Sequence, residues 1–142
     1  MPITGLFGPT IETLAQNIDL RARNHNQIAA NIANVETPNY TPTRLDFENE
    51  LKSAVQVKKT KSGSSISHER HIPLKGQGDG IDRVRGKVVE VSASSVGRDG
   101  NRVDIESEMG KMAENQILYN ASVQMIAKKF DGLRQAIRGT GN

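Results

Sequence analysis

The chain contains no cysteine and no tryptophan. The first absence excludes disulfide frameworks, thiolate zinc sites and cysteine nucleophiles. Aromatic residues make up only 4%: Phe7, Tyr40, Phe47, Tyr119 and Phe130. Such side chains supply much of the buried area of a compact core. Their scarcity argues against a large core and against a pocketed enzyme built around one. Hydrophobic residues reach 35%, a count that leaves out the 13 glycines; ordinary globular chains reach about 45–50% with glycine counted. No apolar run approaches the ~18 residues of a transmembrane helix. The opening Met-Pro-Ile-Thr-Gly-Leu-Phe-Gly-Pro has neither a basic segment nor an apolar stretch of about 7–15 residues, so no cleavable secretory signal is expected.

What is present is one domain's worth of chain, 142 residues, with a net charge of +3. The charge is uneven: −2 over residues 1–52, +4 over 53–100 and +1 over 101–142. The basic middle is a weak pointer to nucleic acid. Lys58, Lys59 and Lys61 have no aromatic residues among them for bases to stack on, so the run reads as a solvated or acid-facing surface and no nucleic-acid partner is expected.

The two ends are periodic and the middle is not. Thr10 behind Pro9 can serve as an N-cap, with Glu12 in the first turn where the helix dipole favours an anion. Steps of three and four then give Ile11, Leu14, Ile18, Arg21, His25, Ile28, Ile32 and Val35, a heptad seam. Ala15, Ala22 and Ala29 flank it, and Pro38 stops it. The C-terminal end repeats the pattern. Asp104 caps, Glu106 and Glu108 follow, and the steps give Met109, Met112, Gln116, Tyr119, Val123, Ile126, Phe130, Leu133 and Ile137. Arg134 and Arg138 close the last turn, with Gly139 as the residue after the helix.

The fold class expected is mainly α, with N- and C-terminal helices paired as an antiparallel coiled-coil-like hairpin around a small irregular or β-containing middle. The domain reading is residues 1–36 and 104–142 as an inner helical unit, and 37–103 as a linker turn, short helix and small loop or β segment. Within the middle, residues 37–43 form a Pro/Asn turn. Phe47, Leu51 and Val55 suggest a short helix over 46–55 capped by Asp46, and residues 58–67 read as loop. Residues 84–91 alternate as a strand with Gly86 as a bulge, and Asp99-Gly100 marks a turn. Pairing the two seams leaves Leu20, Ile117, Leu118 and Met125 uncovered, which implies packing onto further copies or another partner.

No catalytic set can be named. His68 and His71 are three apart in a loop and lack the helical i, i+4 spacing of a zinc-protease motif, so no metal is expected. His25 falls on the seam and reads as a polar position tuning register. Residues 76–80 lack the spacing of a dinucleotide loop, and no cofactor is expected. Asn120-Ala121-Ser122 matches a glycosylation sequon inside a helix seam, and Met109, Met112 and Met125 read as packing residues.

Residues 28–51, IAANIANVETPNYTPTRLDFENEL, resemble the N-terminal motif of the flagellar rod and hook family of axial proteins. The resemblance rests on Asn31, Asn34, Thr37, Pro38, Tyr40, Asp46 and Phe47, with Leu20-Arg21 upstream and Asn101-Arg102-Val103-Asp104 before the last helix. Asn39 stands where the family usually has glycine; asparagine best tolerates positive φ among the other residues. The resemblance implies a structural subunit of the proximal rod of the flagellar basal body, polymerising into a tube that carries motor torque and walls the export channel. It implies copies of itself, other rod proteins, the rod-base adaptor protein, the rod-capping muramidase protein and the flagellar export apparatus as partners. It implies no enzyme activity, no cofactor and no membrane insertion. The seam residues Ile11, Leu14, Ile18, Ile28, Ile32, Val35, Met112, Tyr119, Val123, Ile126, Phe130, Leu133 and Ile137 are then the expected assembly interface. A C-type or other rod or hook axial protein, or a generic coiled-coil adaptor, is the alternative.

Overall fold

The computed structural model describes residues 8–61, 80–91 and 97–139. His68, Arg70, His71, residues 62–67 and residues 76–79 lie outside the described residues, as do the side chains of Lys58, Lys59 and Lys61. Among the described residues, five elements follow in order: α1 (Pro9–Ala33), β1 (Thr43–Asp46), α2 (Glu48–Lys61), β2 (Lys87–Glu90) and α3 (Ile105–Arg138). The fold is mainly α, with a long helix near each end and a two-stranded sheet between them.

α1 starts two residues earlier than its capping pattern suggests. Gly8 occupies the N-cap with no side-chain hydrogen bond, and Pro9 takes the first helical position, where its missing N–H costs nothing. Thr10 is therefore helical and not the cap. The helix ends at Ala33, well before Pro38. The backbone N–H of Asn34 closes onto the carbonyls of Ala30 and Asn31, and its side-chain Nδ2 donates to Ala30 O at 2.8 Å. Val35 lies beyond the helix. Asn34 satisfies both its own N–H and a terminal carbonyl, so the stop is local and does not need the proline.

Thr43, expected to end a turn, and Asp46, expected to cap a helix, are instead the two ends of the strand β1. Asp46 closes it, opposite Lys87 in the antiparallel ladder, and does not cap α2. α2 starts at Glu48 and runs through residues 58–61, where the composition suggests loop. Glu48 and Glu50 in its first turn suit the helix dipole. β2 begins only at Lys87. Val84 precedes it in a turn, its N–H bonded to Ile81 O at 3.1 Å, and is buried in the core. Gly86 is not a bulge inside a strand but the residue leading into it. Its φ is +66°, and a Cβ there would sit 3.0 Å from Leu45 Cγ and Phe47 Cβ. Glycine is required for both reasons.

The small core is Leu20, Leu45, Phe47 and Val84, flanked by Leu51 and Ala54. Leu20 is 0% exposed, which corrects the expectation that it would be left uncovered: the middle segment folds over it. α1 is thus two-sided, with Leu20 facing the sheet and α2 while another face meets α3.

α3 is built as expected at both ends. Asp104 Oδ1 accepts from the N–H groups of Glu106 and Ser107 at 3.1 and 3.2 Å, and Gly139 follows the last turn. At ~1.5 Å per residue, its 34 residues span ~51 Å.

Candidate assembly interface

α1 and α3 run antiparallel, and the contact between them is organised by polar rungs. Asn17 Nδ2 donates to Ser122 Oγ at 2.9 Å, Asn24 Nδ2 to Asn115 Oδ1 at 3.2 Å, and Asn31 Nδ2 to Glu108 Oε2 at 2.8 Å. The residue numbers in each pair add to 139, so three successive heptads hold one register. Glu108, Asn115 and Ser122 are the buried residues of α3. The middle rung is the most elaborate. Asn115 Nδ2 donates to Arg21 O at 2.9 Å, and Asn115 Oδ1 also receives Arg21 Nη1 at 3.4 Å.

Arg21 is buried and held on three sides. Nη2 meets Glu48 Oε1 at 2.9 Å, and the guanidinium carbon stands 5.4 Å from the centroid of the Phe47 ring. That distance lies within cation–π range. Glu48 is mostly exposed, so this ion pair by itself adds little. Arg21 also shares an open groove of about 630 Å³ with Leu14, Phe47, Leu51, Val55 and Leu118.

Asn31 ties α1 to α3, to β1 and to the turn before it. Besides Glu108, its Nδ2 donates to Thr43 O at 2.7 Å, while its Oδ1 accepts from Thr43 N at 3.0 Å and from Tyr40 Oη at 3.3 Å. The amide thus takes the place of a third strand at the start of β1 and covers its free edge there. Lys111 Nζ lies 2.6 Å from Glu108 Oε1, so the buried carboxylate has a partner on each oxygen. Unpaired, it would be costly to bury.

The turn after α1 is pinned by Asn101. Its Nδ2 reaches the carbonyls of Asn34, Val35 and Thr37 at 2.9, 2.9 and 2.7 Å, and its Oδ1 accepts from Val103 N at 2.7 Å. The chain leading into α3 is thereby fastened to the chain leaving α1. Asn39 adopts φ +60° and donates its N–H to Asp99 O at 3.2 Å. It takes the left-handed conformation expected of a residue standing in a glycine position.

The expected seam residues divide. Ile11 and Ile28 are buried. Leu14, Ile18, Ile32, Val35, Met112, Tyr119 and Ile126 are half-buried. Val123 is 38% exposed and Ile137 85%, with Phe130 and Leu133 between them. The seam of α3 toward α1 is therefore not the apolar series read from the sequence. It shares Met112, Tyr119 and Ile126 with that series but substitutes Glu108, Asn115 and Ser122 for Met109, Gln116 and Val123. At ~100° per residue, the facing stripe is rotated by about 50°. Met109 likewise points outward, while Ile117, Leu118 and Met125 are exposed as expected. The rungs are asparagines and not His25, whose Nδ1 is buried without a hydrogen-bond partner.

Of the motif residues, Asn31, Asn34, Thr37 and Tyr40 gather at the end of α1, with Thr37 Oγ1 donating to Asn34 Oδ1 at 3.1 Å and Tyr40 Oη to Asn31 Oδ1. Phe47 is buried, and Pro38 and Asp46 are exposed. The rungs are absent from the residues singled out by apolar spacing, although asparagines at 17, 24 and 31 repeat at strict heptad intervals. That repeat is the signal that marks them. Among the described residues, no cluster of His, Cys, Asp and Glu is arranged to hold a metal ion.

No family model matches the chain. Curated relatives do. The chain is 30% identical over 137 residues to the flagellar basal body rod protein FlgB of Bacillus subtilis, covering 94% of this chain and 97% of that one. It is 33% identical over 124 residues to FlgB of Proteus mirabilis, covering 85% and 88%. Against FlgB of Salmonella typhimurium the identity is 26% over 125 residues, covering 86% and 88%. With two relatives at or above 30% identity along nearly their whole length, the chain belongs to the FlgB family of flagellar basal body rod proteins.

Proposed function

We propose that this chain is a structural subunit of the proximal rod of the bacterial flagellar basal body. It polymerises with copies of itself and with other rod proteins into a tube that transmits motor torque and forms part of the wall of the export channel. The observation that carries the reading, beside family membership, is the apolar edge of α3. After α1 has taken its partner, Met109, Val123, Phe130, Leu133 and Ile137 still face outward along the helix. An exposed apolar stripe of this kind marks an interaction surface. A packed tube wall would bury it.

In this reading residues 1–36 and 104–142 form the inner helical part and residues 37–103 the outer segment. The rod-base adaptor protein, the rod-capping muramidase protein and the flagellar export apparatus are its other partners. The role has no catalytic step, cofactor or nucleic acid in it. No helix among the described residues is long and apolar enough to cross a membrane, and the proposed site is the periplasm-spanning rod.

The test is a deletion strain complemented with a tagged copy of the chain. Restored motility and recovery of the tag in purified basal bodies support the reading. A motile deletion strain, or a tag recovered only as free monomer, overturns it.

A further inference from the structure

α3 carries two overlapping stripes that could face α1. Both contain Met112, Tyr119 and Ile126. One adds the apolar Met109 and Val123; the other adds Glu108, Asn115 and Ser122. Burial of apolar area alone favours the first, yet the second is the one that faces α1. The difference is a roll of α3 about its own axis, with no change in its direction. Such a roll would strand the partners of the rungs on α1. Asn17, Asn24, Asn31 and the Arg21 carbonyl each bond to a side chain on the polar stripe. Asn31, Glu108, Asn115 and Ser122 are buried and Asn17 and Asn24 half-buried; a buried polar group left without its partner is costly, so the two settings are distinct and separated.

We propose that the rungs Asn17–Ser122, Asn24–Asn115 and Asn31–Glu108 fix the rotation of α3 as well as its register. They hold the Met109–Val123 edge outward and prevent α1 from covering it within the same chain. Buried asparagines at heptad positions select one pairing among several at a cost in stability. Here the alternative rejected is an intramolecular one, in which the chain consumes its own interaction surface. The importance of keeping that surface free rests on the rod reading above; the rotation itself does not.

The absence of cysteine allows a direct test. Val123→Cys and Ser122→Cys are made separately in the full chain, each with and without Asn24→Ala/Asn115→Ala, which removes the middle rung without adding apolar bulk to the polar stripe, and maleimide modification rates are measured. With Asn24 and Asn115 in place, the thiol of Val123→Cys should react at least tenfold faster than that of Ser122→Cys. In the double-alanine background the thiol at position 123 should slow and the thiol at position 122 quicken. Unchanged rates in that background overturn the proposal, as does acceleration of both, which reports loss of pairing and not rotation. Fast modification at both positions with Asn24 and Asn115 in place overturns it too. If the double-alanine chain loses its helix content, Asn115→Ala alone decides: the thiol of Val123→Cys must slow in it. Recovery of the same variants in basal bodies is scored separately, so a failure of the rod reading leaves the modification result standing.

Discussion

Asn31 donates from one Nδ2 to Glu108 Oε2 at 2.8 Å and to Thr43 O at 2.7 Å. A single amide thereby joins α1 to α3 on one side and to the sheet on the other. The same side chain accepts from Thr43 N and Tyr40 Oη. The residue is 1% exposed, so water cannot replace these bonds.

Asn31→Ala should therefore destabilise the chain by about 3 kcal/mol, because it strands a backbone N–H and part of a buried carboxylate, each costing roughly 1–3 kcal/mol. Asn31→Asp should be at least as harmful at neutral pH despite its matching shape, since it sets a second carboxylate against Glu108 and a carbonyl. Urea unfolding midpoints of the two variants measure this. A loss below ~0.5 kcal/mol for either, the range of an ordinary surface substitution, would show that these bonds are dispensable.

Asn101→Ala removes the donor shared by three carbonyls at the α1 exit. The expected loss is about 1–2 kcal/mol, with faster amide exchange at Thr37, Asn39 and Tyr40 and little change at Asn24 or Ile28 in mid-helix. Uniform acceleration across α1 would indicate global destabilisation and not a local staple.

Two glycine substitutions should have opposite signs. Gly86→Ala forces a side chain into positive φ and against Leu45 and Phe47, at a cost of roughly 1–3 kcal/mol. Gly110 sits inside α3, where an added Cβ meets nothing within 4 Å. Gly110→Ala should stabilise by about 0.5–1 kcal/mol through helix propensity. Thermal midpoints that fall for both variants, or rise for both, would contradict the assignment.

Val123→Asp should separate folding from assembly. The native side chain is already 38% exposed, so the helix pair should lose no more than ~1 kcal/mol. Incorporation into basal bodies should nevertheless fall sharply, because a carboxylate buried between subunits has no partner. Lys128→Asp, at an exposed position off that edge, should incorporate nearly normally. Wild-type recovery of Val123→Asp would remove the outward edge of α3 as an interface.

The two long helices, their antiparallel pairing and the anchoring residues at the ends of α3 are legible in the residues alone. Heptad periodicity and the Asp104 cap are local signals, set by spacing along one chain. The Asn31–Tyr40 segment also stands out there, and Asn39 is a residue type that admits its positive φ. Which face of α3 meets α1 is a tertiary outcome, because an apolar stripe and a polar one overlap on the helix. Only the partners offered by Asn17, Arg21, Asn24 and Asn31 distinguish them. The strand at Thr43–Asp46 and the covering of Leu20 are tertiary outcomes too. A four-residue strand carries too short a pattern to read, and its stability comes from pairing with Lys87–Glu90 far along the chain and from the side-chain amide that closes its other edge.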